Sequence, residues 1–260
     1  NVVESSGTVS IGEGATLEAG SDIVITTDVT VEASAKAKTA KNLGPSGGPE
    51  RTAIAVAIAK SFLNSKISVA ENASLIAGSN LTLHAVGDQD VSASADAGVH
   101  LAGGLGVTFA VALPTADVTV DVHGELRADA VSEKHTGITI HAELDTNEES
   151  VAMSGLGGAA APASGGSSLS IPVQSFISTY ILPIVNGLFF NGVGSILGVQ
   201  LDLSTSMALI NSDNNVAATV HGDATIGSLL DLNLQSTLVS RVRTFSESVV
   251  IQNSGVKPVD

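Results

Sequence analysis

The chain contains no cysteine and no tryptophan, and only one tyrosine and six phenylalanines among its 260 residues. The absence of cysteine excludes disulfide bonds, thiolate metal sites and a cysteine nucleophile. Basic residues are also few, since 11 Lys and Arg stand against 26 Asp and Glu, for a formal net charge of −15. Such a chain repels phosphate backbones, so we expect no nucleic-acid partner.

Small aliphatic residues and glycine make up much of the chain instead. Hydrophobic residues amount to 43%, which is enough for a packed core and excludes a disordered chain. The 27 glycines lack the three-residue period of collagen. The sequence begins at Asn1 without Met, a basic stretch or an apolar leader, which is typical of a mature segment or an excised piece.

A pattern of alternating apolar residues recurs along the chain. The stretches 9–25 and 67–83 match at every apolar position with an offset of 58, and weaker copies begin near Val118 and Val216. Within each copy the alternation has the two-residue period of half-buried β-strands. Stacked coils place each inward residue on its equivalent in the next coil, so the pattern predicts an all-β fold, a parallel β-solenoid of about four imperfect repeats. The alternative is an antiparallel β-sandwich or barrel array.

Glycine-rich segments at 39–51 and 98–106 each follow a copy of the pattern and connect it to a further predicted strand. These strands, at 53–58 and 107–111, consist of small and β-branched residues. We therefore expect each full repeat to form two coils.

An uncharged run of 52 residues lies between Glu149 and Asp202. Its first part, 150–170, is rich in Gly, Ala and Ser and predicts a loosely ordered loop. Its second part, 171–197, has apolar residues at helical spacing and predicts a mainly helical insertion packed on the solenoid. The sequence thus predicts three segments: solenoid repeats at 1–149, the insertion at 150–201 and a continuation of the solenoid at 202–260.

The apolar part of this insertion is the predicted partner-binding region, because a contiguous exposed apolar patch marks an interaction site. The simpler alternative is a helix that only covers one side of the solenoid. A polar face, two prolines and several glycines argue against a membrane-spanning helix, so we do not expect membrane insertion. The candidate binding residues are Phe176, Tyr180, Ile184, Leu188, Phe189 and Phe190.

Four histidines occupy equivalent places in different copies. His84 and His141 each follow a strand directly, whereas His123 and His221 each precede a glycine. Two imidazoles in stacked coils can share a metal ion. However, we expect other copies to lie between the paired histidines, and no carboxylate recurs beside them. Surface decoration is therefore the predicted role, and no metal site is predicted.

Carboxylates cluster at 88–90, 117–121 and 143–149. Oxygen-rich loops of this kind suit Ca²⁺. However, neither the EF-hand spacing nor the glycine-rich nonapeptide calcium repeat is present. A solvated acidic face is expected, so no cofactor is predicted, and Ca²⁺ is the one ion left open.

No catalytic set is evident. Polysaccharide lyases and hydrolases on β-helices need converging acidic and basic groups or paired carboxylates. Arg127 and Lys134 lie near Asp129 and Glu133 only within one variable turn, and no Gly-x-Ser-x-Gly elbow is present. We predict no catalytic residues and no enzymatic activity, with a carbohydrate-active β-helix enzyme as the alternative.

The repeats resemble very large repetitive bacterial exoproteins, the haemagglutinin-like adhesins and related giant surface or leukotoxin-type proteins. The pattern Ile-x-x-x-Ala-x-Leu-x-Ala-Gly, followed by alternating apolar residues, runs over 11–25 and, with Val first, over 69–83. Alternating alanine arms follow it at 33–37 and 93–97. The resemblance covers 1–145 well and 203–250 loosely, and the insertion departs from it.

The resemblance implies a secreted or surface-attached structural rod that adheres or self-associates, often as part of a much longer chain. Its expected partners are copies of itself or neighbouring repeats, with a surface receptor or a polysaccharide as further candidates. The resemblance carries over no catalytic residue.

Overall fold

The structure is a computed structural model that describes residues 1–38, 52–99, 105–129, 137–159, 204–228 and 231–253. All the regular elements within these ranges are β-strands. No helix in this part of the chain is long and apolar enough to cross a membrane. The predicted helical insertion at 171–197 lies outside the described residues.

The strands follow one another in four successive sets, which we call coils 1 to 4. Coil 1 contains β1 (Val2–Ile11), β2 (Thr16–Ala19) and β3 (Ile23–Lys38), and coil 2 contains β4 (Thr52–Val69), β5 (Ser74–Ala77) and β6 (Leu81–Val99). Coil 3 contains β7 (Leu105–Val122), β8 (Glu125–Ala128) and β9 (Gly137–Ala159). Coil 4 contains β10 (Ser204–Ile210), β11 (Asp213–Val220), β12 (Thr225–Ser228) and β13 (Asp231–Asn253).

Strands at equivalent places in the coils form three parallel sheets. The first sheet joins β1, β4 and β7 to β10 and β11, the second has the order β2-β5-β8-β12, and the third has the order β3-β6-β9-β13. The register sets equivalent residues side by side, so that Leu17 lies beside Leu75, and Leu75 beside Leu126. The all-β class and the parallel sheets are as predicted and consistent with a β-solenoid; the antiparallel alternative is wrong for the described strands.

Coils 1 and 2 pair strand for strand at an offset of 58 residues, so this offset corresponds to one set of strands and not to the two coils that we expected. Residues 53–58 and 67–69, assigned to different coils from sequence, belong to the single strand β4, which pairs with β1 from Lys60 onwards. The interior positions Ser61 and Ser65 are fully buried. Because these serines interrupt the apolar alternation, one long strand looks like two short ones in the sequence.

Strand β9 extends to Ala159, through a stretch that the composition predicts as loop. Ser150 and Ala152 face the interior and are fully buried, and the Ser150 hydroxyl donates a hydrogen bond to the Ala110 carbonyl at 2.8 Å. The strand therefore continues through these small residues, and its alternate side chains point into the interior. Their composition is that of a linker, but their two-residue alternation is that of a strand.

The interior holds two apolar clusters of different composition. The larger one, nearest the second sheet, is built from Leu, Ile and Val, including Leu75, Ile140 and Leu144. The smaller one consists almost entirely of alanine, including Ala57 and Ala93. Alanine needs little space between facing sheets, which accounts for a core with few aromatic residues.

Buried polar side chains lie between the two clusters along β4, β6 and β9. The Gln89 amide donates to the Ser61 hydroxyl at 2.8 Å and to the Thr115 carbonyl at 3.1 Å. Glu148 is fully buried and accepts a hydrogen bond from the Ser212 hydroxyl at 2.8 Å. Ser212 lies in the break between β10 and β11, opposite Pro114, which has no N–H for a ladder.

The corner between the first and second sheets is shorter in coil 3 than in its neighbours. It takes four residues in coil 2 (70–73) and four in coil 4 (221–224), but only His123 and Gly124 in coil 3. In coil 2 the longer turn places Asn72 at φ 58°, in the left-handed region that asparagine tolerates. The short corner presses Gly124 against backbone, since a Cβ there would lie 2.4 Å from the Ala73 carbonyl oxygen.

We expect Gly124→Ala to destabilise the protein by about 1–3 kcal/mol, the usual cost of forcing a methyl group into filled space. The matched control is Gly222→Ala, because Gly222 also follows a histidine at the equivalent corner and a Cβ there would meet nothing within 4 Å. Urea unfolding of both variants measures the difference. Equal midpoints for the two variants would contradict the tight corner.

Candidate functional site

The partner-binding residues predicted from the sequence lie outside the described residues, and their role stays a prediction. They are Phe176, Tyr180, Ile184, Leu188, Phe189 and Phe190. Within the described ranges, three features are candidates for function: two stacked histidine pairs, and a row of exposed apolar residues in coil 4.

The first histidine pair lies on the outer face of the third sheet. His84 of β6 lies directly beside His141 of β9. Their rings stack with centroids 4.8 Å apart and planes 2° from parallel. The sequence-based expectation that other copies separate them is wrong, because β6 and β9 are adjacent strands.

A carboxylate lies beside this histidine pair, and the sequence analysis did not predict it. Glu143 lies two residues after His141 on the same face of β9, and its Oε2 is 3.6 Å from His84 Nε2. His141 Nε2 lies 3.3 Å from the Thr237 hydroxyl. His84 Nε2 is shielded from solvent and has no hydrogen-bond partner among the described residues. The nitrogen and oxygen donors of His84, His141 and Glu143 lie within 4.8 Å of one another.

The second histidine pair lies at the corner that is shortened in coil 3. The rings of His123 and His221 stack with centroids 3.8 Å apart. His123 Nδ1 is 3.3 Å from each carboxylate oxygen of Asp223, and His221 Nε2 is 3.8 Å from Asp121 Oδ1. Each imidazole therefore has its own carboxylate partner.

Three coils contribute to this corner cluster. Glu71 of coil 2, His123 of coil 3 and Asp223 of coil 4 bring their donor atoms within 4.8 Å of one another. Adjacent strands lie about 4.8 Å apart, so residues two coils apart are normally about twice that distance from each other. Coil 3 lacks two corner residues, which lets the two carboxylates approach the same imidazole.

The pKa of Asp223 lies below the ordinary value of 3.8. Desolvation is the largest single influence and raises the pKa. A backbone hydrogen bond within Asp223, together with the hydrogen bond and charge of His123, outweighs the desolvation and lowers it.

The third feature is a row of interior positions in β13 that remain exposed. Leu232, Leu234, Leu238 and Val242 are 53%, 48%, 49% and 60% exposed. Their register partners in β9 are Ile138, Ile140, Leu144 and Glu148, each of which is 0% exposed. No described strand pairs with the outer edge of β13, so these core-type side chains have no neighbouring coil over them.

The outer face of β13 carries charged pairs instead. Arg241 pairs with Asp145, and Arg243 Nη1 lies 3.0 Å from Glu149 Oε1. All four side chains are exposed by more than a third. Each arginine is thus matched to one carboxylate on the neighbouring strand.

Comparison with known proteins finds no matching family model, no matching curated protein and no matching solved structure. The function is therefore argued from the geometry of these three features.

We expect His123→Ala to raise the pKa of Asp223 towards its ordinary value, because the variant removes the imidazole that favours the carboxylate. A lowered pKa makes Asp223 contribute stability above the ordinary carboxyl pKa, and that contribution disappears as the pH falls through the lower folded value. In the variant the folded and unfolded pKa values of Asp223 lie closer together, so its contribution to stability is smaller and its loss is complete at a higher pH. Carboxyl ¹³C NMR titration between about pH 2 and 7 measures the shift.

His221→Ala is the control, since His221 contacts Asp121 and not Asp223. An Asp223 pKa that His123→Ala leaves unchanged would show that the contact with His123 does not set it.

Proposed function

We propose that this chain is a non-enzymatic, extracellular structural segment of a bacterial surface protein or fibre. In this proposal it forms a parallel β-solenoid whose coil 4 stacks on a further coil of the same kind. The observation that carries the proposal is the row of half-exposed core positions in β13, at Leu232, Leu234, Leu238 and Val242.

The contrast between β9 and β13 supports stacking on coil 4. β9 has β6 on one side and β13 on the other, and its inward Ile138, Ile140 and Leu144 are fully buried. Among the described strands, β13 has a neighbour on one side only, so its equivalent leucines are covered from that side alone. Covering an exposed Leu or Val completely is worth about 1.5–3 kcal/mol, so a further coil gains a substantial part of that from each of the four side chains.

The backbone of β13 also favours another coil. β13 runs for 23 residues without a proline, and its outer edge has no partner among the described strands. Such an edge is a template for pairing with another strand. Proline or tightly bulged edges, which block this pairing, do not occur within it.

Coil 1 of a second copy is the occupant that fits this face. Leu17 is 43% exposed, and Ile11 and Ile25 are only partly covered, so coil 1 also presents unfilled core positions. β1 and β3 each have one edge without a partner in the described chain. Head-to-tail contact between unlike ends is heterologous, and it produces a filament when successive copies do not close into a ring.

The non-enzymatic part of the proposal is supported by the charges on the third sheet. A polysaccharide lyase, one form of the alternative function, needs acidic and basic groups that converge on one substrate bond. Here Arg241 and Arg243 are each paired with a single carboxylate and lie in a ladder along exposed strands. The secreted or surface location is supported by the resemblance of the repeats to bacterial exoproteins.

We expect Leu238→Ser to weaken association between copies by about 3- to 10-fold, because it removes part of the apolar surface that stacking covers. The neighbouring Val239→Ser is the matched control, since Val239 is also exposed but faces outward beside Asp145. Sedimentation velocity over a concentration series measures the association, and electron microscopy shows whether the assemblies are elongated.

Two results would contradict the proposal. One is a wild-type chain that stays monomeric at every concentration, and the other is an equal loss of association in the two variants.

A further inference from the structure

We propose that His84, His141 and Glu143 bind a divalent transition-metal ion of the Zn²⁺, Co²⁺ or Ni²⁺ type. This role goes beyond the structural function proposed above and does not depend on association between copies.

The strand register places the three donors on one patch of surface. His84 and His141 are side by side on neighbouring parallel strands, where backbones lie about 4.8 Å apart. Glu143 is two residues beyond His141, and alternate residues of a strand share a face. Its carboxylate turns back to 3.6 Å from His84 Nε2.

The donor separation is close to what a metal ion requires. A tetrahedral zinc with Zn–N bonds of about 2.1 Å holds two imidazole nitrogens about 3.4 Å apart. The three donors already lie within 4.8 Å of one another. In the stacked arrangement the ring planes are parallel, so their lone pairs point side by side. Binding therefore requires the two rings to rotate so that their nitrogens converge on the ion.

The state of His84 supplies a second, independent indication. Its Nε2 is shielded from solvent and has no hydrogen-bond partner among the described residues. A shielded polar atom without a hydrogen bond is uncommon and calls for an explanation such as a bound ion or water. A metal ion between His84, His141 and Glu143 gives this nitrogen a direct bond in place of its 3.6 Å contact with Glu143.

The donor types select the kind of ion. Two imidazoles with one carboxylate suit Zn²⁺, Ni²⁺ or Co²⁺, whereas Ca²⁺ and Mg²⁺ prefer oxygen ligands alone. Asp88 lies further along the same face of the sheet, beside Asp145, which is paired with Arg241. Asp88 and the formal charge of −15 produce a field that attracts cations.

The corner cluster of Glu71, His123 and Asp223 is a weaker candidate and serves as the internal control. It offers one imidazole, and His123 Nδ1 is already 3.3 Å from both oxygens of Asp223. No unpartnered nitrogen marks that cluster among the described residues.

A bound ion has a structural consequence. It links β6 of coil 2 to β9 of coil 3 through side chains, in addition to their backbone ladder. Because the ion binds the folded sheet and not the separated strands, it raises the unfolding temperature, and the rise continues with the logarithm of the ion concentration above Kd.

The test uses the whole chain after removal of metal with a chelator. We expect Co²⁺ to bind with one saturable site, seen as visible absorption of a nitrogen-coordinated ion, and Zn²⁺ to displace it. Removing a group that only hydrogen-bonds a metal ligand typically costs about 10- to 100-fold in metal affinity. The double variant His84→Gln/His141→Gln removes two ligands, so we expect it to lose at least that much. The double variant His123→Gln/His221→Gln is expected to bind as the wild type does.

A second measurement avoids dependence on folding of the variants. In the wild-type chain, the imidazole ¹⁵N NMR signals of His84 and His141 should shift with a saturable Zn²⁺ dependence, while those of His123 and His221 stay in place. The proposal is overturned if the wild type shows no saturable binding, or if the His84/His141 variant binds as tightly as the wild type. A Zn²⁺ response confined to His123 and His221 would also overturn it.

Discussion

The in-register contact between equivalent residues of successive coils governs the rest of the structure. Each inward side chain packs on its counterpart in the next coil, as Leu17, Leu75 and Leu126 do in the second sheet. The same register acts on the outer surface, where it places like residues side by side at the coil spacing. The core, the stacked histidines and the exposed end of coil 4 are all consequences of this single arrangement.

Two of the three candidate features coincide with departures from regular stacking. The loss of two corner residues in coil 3 packs Gly124 against the Ala73 carbonyl and brings Glu71 and Asp223 to one imidazole. The absence of a described coil beyond β13 leaves Leu234 half-exposed, at a position where Ile140 is fully buried. The third feature, the pair of His84 and His141, arises from the regular register itself.

Much of the fold could be predicted because alternation and repeat offset are directly visible in the sequence. The number of coils per repeat could not be predicted, because the buried Ser61 and Ser65 interrupt the apolar alternation within the single strand β4. The equivalence of His84 and His141 was recognised from their places in the pattern, but their contact depends on that coil count. The nearness of Glu143 to His84 depends on side-chain geometry across strands, which no sequence spacing expresses.

The most direct test of this account is disulfide cross-linking between Ser10→Cys and Ser68→Cys, in a chain that has no other cysteine. Ser10 and Ser68 are register partners whose hydroxyl oxygens are 3.1 Å apart. Neighbouring strands place Cα atoms within the range that a disulfide spans, whereas a pair two residues out of register is too distant. We predict rapid oxidation of Ser10→Cys/Ser68→Cys and none of Ser10→Cys/Lys66→Cys. Equal cross-linking of the two pairs, or preference for the second, would contradict the in-register parallel pairing of coils 1 and 2 at an offset of 58 residues.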